Sequence, residues 1–108
     1  MDDVRPLLDA VDSFADRLRA LPQSRLNRGA AAEALALARE LAAWAQRVEE
    51  PGAEPRRMPE AGMFAAADQV AVAGHDLVEA LRVHGAPGRP GVAEAVAMVQ
   101  AAAERCGL

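Results

Sequence analysis

VRPLLDAVDSFADRLRAL, residues 4–21, decides the fold. Val4, Leu7, Leu8, Val11, Phe14, Ala15, Leu18 and Leu21 recur at steps of three and one. That spacing lays them along one face of a helix, with Asp9, Asp12, Ser13, Asp16, Arg17 and Arg19 on the other. Asp2 or Asp3 can cap its start, Pro6 is tolerated in a first turn, and Pro22 stops it. The spacing predicts helix 1 over about residues 3–21.

Three further segments carry the same period. Ala30, Ala34, Leu37, Leu41, Trp44 and Val48 alternate steps of four and three, which predicts helix 2 over about 26–50. Ala31, Leu35, Ala38, Ala42 and Ala45 widen its apolar arc. Glu50-Pro51-Gly52-Ala53-Glu54-Pro55 breaks the pattern and reads as a loop, and Pro59 suits the first position of helix 3. Met63, Ala67, Val70, Ala71, Gly74, Leu77, Val78 and Leu81 form the stripe of that helix, over about 59–84. Ala86-Pro87-Gly88-Arg89 is a second turn. Val92, Ala95, Val96, Val99, Ala102, Ala103 and Cys106 mark helix 4, over about 90–106.

Four amphipathic segments with short connections predict an all-α, up-and-down antiparallel four-helix bundle, with residues 1–108 as one domain. The alternative is three long helices and a mobile fourth, completed by a dimer partner. In the first arrangement Trp44 falls level with Ala65, Ala66 and Ala67 and with Ala101, Ala102 and Ala103. The indole is then expected to be largely buried in space left by alanines. Gly74, on the stripe of helix 3, points to a close helix approach.

Composition agrees with helices. The chain has no Ile, Thr or Tyr, only two Phe and one Trp, so residues that favour strands are nearly confined to Val. All twelve basic residues are Arg, a bias expected of a GC-rich bacterial genome. A net charge of −4 argues against bulk nucleic-acid or anionic-membrane binding. The first residues lack the layout of a signal peptide, and no apolar run is long enough to span a bilayer. Cys106, the single cysteine, excludes an internal disulfide and fits a cytoplasmic protein.

Reactive constellations are weak. His75 and Glu79 share a helix face, with Asp76 beside them and Asp68 two turns earlier. They fall opposite the apolar stripe, and paired Glu-x-x-His motifs of a di-iron bundle are missing, so no metal or cofactor is expected. Ser13 and Ser24 lack a nucleophile elbow. Cys106 lies on the core stripe, and Asp9, Asp12 and Asp16 form a row on the wet face. The expectation is that the chain is not an enzyme.

Charge placement supplies the functional expectation. Arg17 to Arg28 contains four Arg and no acid, and Ala80 to Gly91 contains Arg82, His84 and Arg89 with no acid. In the predicted bundle these stretches meet at one end, where helices 2 and 4 both begin. Helix N-termini offer unpaired N–H groups to an anion. Arg25, Arg28, Gly29, Arg89 and Gly91 are therefore the candidate anion- or partner-binding residues. The chain reads as a non-enzymatic helical interaction module, an adaptor or regulatory subunit, whose basic end contacts an acidic partner. The alternative is a binder of a small anionic ligand at that end. Nucleic acid is disfavoured, since exposed aromatics for stacking are scarce. The wide arc of helix 2 points to self-association.

Overall fold

The computed structural model describes residues 3–85 and 91–108, which form an all-α bundle of four helices. Helix α1 spans Arg5–Arg19. Its predicted stripe is its inner face, with Leu7, Val11, Phe14, Ala15 and Leu18 all buried. Pro6 sits in the first turn, and Asp3 Oδ1 accepts the Arg5 N–H at 2.9 Å. Arg17 and Arg19 occupy the last turn, where cations offset the helix dipole.

Helix α2 spans Ala31–Glu49. Its approach is irregular: one α-turn at Gln23–Arg25 runs into a π-turn at Leu26–Ala30, in which Gly29 has φ of 130°. Only glycine adopts that conformation without strain. The chain bends there, so the predicted start of helix 2 near residue 26 is a kinked lead-in.

Helix α3 spans Ala66–His84, preceded by a 3₁₀ turn at Met63–Ala65. The predicted start at Pro59 is thus several residues early. Residues 50–62 instead lie back along α2. Arg39 donates to the Met58 carbonyl at 2.9 Å. The Gln46 side chain accepts the Arg56 N–H at 2.8 Å, and Gln69 donates to the Pro59 carbonyl at 2.9 Å. Thirteen extended residues reach about 40 Å, more than the roughly 28 Å of α2, so this strap returns the chain to where α2 began.

Helix α4 spans Val92–Cys106, and Gly107 closes it in the left-handed conformation at φ 74°. Residue 90, where helix 4 was predicted to start, lies outside the described residues.

Cross-helix bonds fix the directions. Arg19 pairs with Asp68 at 2.7 Å and His75 with Asp12 at 2.7 Å, so α1 and α3 are antiparallel. Arg105 pairs with Glu33 at 2.9 Å and Cys106 Sγ donates to the Ala30 carbonyl at 3.6 Å, so α2 and α4 are antiparallel. Since α2 and α3 both begin where α1 ends, they run parallel. Helix α1 packs on α3 and α4, and α2 on the same two helices, while α1 and α2 barely touch. The ring order is α1–α3–α2–α4, with sequence neighbours α1 and α2 across the diagonal.

The four-helix all-α class is as the sequence predicts, with antiparallel contacts between α1 and α3 and between α2 and α4, but the strap makes α2 and α3 parallel neighbours. One end, the head, holds the last turns of α1 and α4 and the first turns of α2 and α3. The other, the foot, holds the opposite termini. Trp44 belongs to the later turns of α2, at the foot. Ala66, Ala67 and Ala102 lie at the head, so the expected alanine layer around the indole does not form. Trp44 is only partly buried, against the edge of the core.

At the foot, Glu94 Oε2 accepts the Gly91 N–H at 2.8 Å, a reach-back cap on α4. That N–H, followed by the backbone N–H of Glu94, holds the carboxyl below its ordinary range. A depressed folded-state value means stability present above the unfolded pKa and lost as pH falls through the folded one. The melting temperature of the native chain is therefore expected to exceed that of Glu94→Ala near neutrality. The two curves should converge in acid, and a constant gap down to low pH would exclude the cap. No helix among the described residues is long and apolar enough to cross a membrane.

Candidate functional site

The predicted basic end does not assemble. Arg25, Arg28 and Gly29 lie at the head, whereas Gly91 caps α4 at the foot, about 22 Å away by the length of that helix. Arg82 and His84, in the last turn of α3, are at the foot as well. Arg89 lies outside the described residues. The cause is the strap, which sends α3 and α4 in directions opposite to those of a simple meander.

Two members of the head group, Arg25 and Gly29, have local roles. The Arg25 guanidinium donates to the carbonyls of Cys106 at 3.4 Å and Gly107 at 3.3 Å. It thus places a cation on the negative end of the α4 dipole, where it is favourable. Gly29 answers to its backbone conformation, and a Cβ there would meet open space. Arg28 is exposed and makes no ion pair among the described residues. Head acids hold two further Arg: Asp16 and Asp68 pair with Arg19, and Glu33 pairs with Arg105.

The His75 group is dispersed in the same way. His75 meets Asp12, Glu79 pairs with Arg82, and Asp68 pairs with Arg19. No set of three or more His, Cys, Asp or Glu among the described residues is placed to hold a metal ion. Cys106 is buried against α2; burial first, then the charge of Glu33, push its thiol up, away from the reactive thiolate.

What the head does carry is an open cleft of about 150 Å³, lined by apolar side chains and by Arg19. Leu18, Arg19 and Leu21 line it from the end of α1, Leu26 from the lead-in to α2, and Met63, Phe64 and Ala67 from the start of α3. The geometry follows from local backbone. Gly62, at φ 90°, turns the end of the strap into the 3₁₀ turn. Met63 then packs against the core while Phe64, its neighbour, points outward. Phe64 is 72% exposed, the most exposed large hydrophobic side chain among the described residues. The Arg19 guanidinium, held by Asp16 at 3.2 Å and Asp68 at 2.7 Å, gives the cleft a polar edge.

Sequence reasoning passed over Phe64. A signal was present: it is one of two Phe in the chain and sits one residue off the stripe that Met63 and Ala67 define. An aromatic on the wet face of an Ala-rich segment departs from the pattern that its neighbours set. No family model, curated protein or solved structure matches this chain.

Proposed function

We propose that this chain is a non-enzymatic protein-interaction module whose contact surface is the head cleft with Phe64 on its rim. The observation that carries it is the 72% exposure of Phe64 on the rim of an open cleft lined by Leu18, Leu21, Leu26 and Met63 with Arg19 at its edge. An aromatic anchor next to a pocket, with a salt-bridged edge, has the anatomy of a binding patch, in which few residues carry most of the energy. The partner that fits is a protein presenting an apolar side chain to Leu18, Leu21 and Met63. Its polar groups would meet Arg19 and Asp68.

Two variants test this function against the native chain. Phe64→Glu places a charge on the patch, and Val83→Glu places one at the foot, where Val83 is 56% exposed. Both positions are on the surface, so stability should stay within about 0.5 kcal/mol of the native chain. Titration of a captured, identified and purified partner should show Phe64→Glu weakened by roughly 30-fold, the scale of a central anchor, with Val83→Glu unchanged. A partner bound equally by all three chains would overturn the assignment.

A further inference from the structure

We infer that the Arg56–Arg57 pair of the strap is a limited-cleavage site for a trypsin-like, arginine-specific endopeptidase, and that the cut chain stays assembled as a two-piece bundle. Such a protease takes its substrate as an extended strand, with one arginine side chain in an acidic pocket. An arginine in a helix does not fit until the helix unwinds. The chain has no Lys, so its twelve Arg are the only candidates. Among the described residues every Arg lies in a helical turn except Arg56 and Arg57. Arg89, outside them, is followed by Pro90, whose ring and missing N–H make that bond a poor substrate.

The strap offers the pair in an accessible form. Arg56 and Arg57 are exposed, and neither makes an ion pair among the described residues. Gln46 holds the backbone of Arg56, and Arg39 holds the carbonyl of Met58. Arg57, between these fastenings, makes no hydrogen bond among the described residues. Single side-chain bonds of this kind let go locally, whereas a helix ladder opens as a unit. The Arg57–Met58 bond is therefore the first to be cut. Water adds at the Arg57 carbonyl carbon, the C–N bond breaks, and a carboxylate is left on Arg57 and a free amine on Met58.

The ring order α1–α3–α2–α4 holds the cut chain together. Cleavage parts α1 and α2 from α3 and α4, and every helix has both its ring neighbours in the other piece. Helices α1 and α2 barely touch, and neither do α3 and α4. Neither piece has a core of its own: Val11, Phe14 and Leu37 of one share a buried cluster with Val70, Leu77 and Val99 of the other. The uncut strap keeps the halves at an effective concentration on the order of millimolar. Once it is cut, the fold depends on the real concentration and comes apart on dilution.

Brief digestion of the native full-length chain with trypsin, at tens of micromolar, tests both halves of the inference. Two pieces with the masses of residues 1–57 and 58–108 should appear, eluting together at the volume of the intact chain and keeping its helical circular dichroism. The melting temperature should be independent of dilution before the cut and should fall with dilution after it. Replacing Arg56→Gln and Arg57→Gln together should leave the melting of the native chain unchanged and slow the first cut by roughly tenfold or more. A first cut at any arginine outside the pair, or digestion straight to small peptides, would overturn the site. Pieces that elute apart or lose their helix, or a cut chain whose melting ignores dilution, would overturn the two-piece assembly.

Discussion

Replacing Phe14 with alanine is expected to cost about 3–5 kcal/mol, the range for truncating a buried aromatic. That is a large share of the 5–15 kcal/mol or so that holds a small domain folded. Phe14 is 1% exposed and is the largest fully buried side chain among the described residues. The core to which it belongs mixes leucines and valines with many alanines, among them Ala34, Ala38, Ala73, Ala95 and Ala102. Alanines cannot extend into a vacated volume, so the cavity should persist and add to the lost transfer energy. Trp44 gives the contrast. It is only partly buried, so Trp44→Ala should cost on the order of 1–3 kcal/mol. Urea unfolding followed by circular dichroism, with unchanged slopes, gives both values. Equal losses at the two positions would show that the core centres on the indole and not on α1.

The contrast marks where the sequence was legible. The apolar stripes at Leu7–Leu18, Leu37–Leu41, Val70–Leu81 and Ala95–Cys106 are the buried faces, because a 3.6-residue period and burial are the same information. Helix ends at Pro22 and Pro51 follow from local stereochemistry and were equally readable. Helix direction was not. It depends on whether residues 50–62 turn tightly or return along α2, and the deciding bonds come from Arg39, Gln46 and Gln69 to strap backbone. Polar side chains spaced along two different helices leave no periodic trace. From that one unread strap come the displaced Trp44, the late start of α3, and the separation of Gly91 from Arg25 and Arg28.

The candidate site shows the same division. Arg25, Arg28 and Gly29 drew notice as a run of cations beside a glycine, yet Arg25 serves the carbonyl end of α4, some eighty residues away in sequence. A contact of that range cannot be read from local composition. Phe64, by contrast, departs visibly from the stripe of its own segment. Its exposure was legible as a mismatch between residue type and position, although the cleft beside it needs α1, the α2 lead-in and α3 brought together.

Substitution of Gly74 is expected to reveal how closely α1 and α3 approach. A Cβ at this position would meet both methyl groups of Val11, at 2.6 Å from Cγ2, and would lie 3.0 Å from its Cβ. Two effects compete in Gly74→Ala. Alanine favours the helix by about 1 kcal/mol, whereas overpacking a filled core costs about 1–3 kcal/mol. Overpacking should win, because Val11 has no easy escape. It is β-branched and stiff at χ1, and turning χ1 leaves its Cβ where it is. Relief requires α1 to move off α3, which loosens Phe14 and Leu18 on the same face. A net loss on the order of 1–2 kcal/mol is expected for Gly74→Ala, and about 3 kcal/mol or more for Gly74→Leu. The cause can be isolated with Val11→Ala, which removes the methyls that clash. In the double variant the losses should fall short of their sum by roughly 0.5–3 kcal/mol, the mark of two residues in direct contact. Strict additivity, or a Gly74→Ala chain more stable than the native one, would mean that the glycine is a helix defect and not the point where the two helices meet.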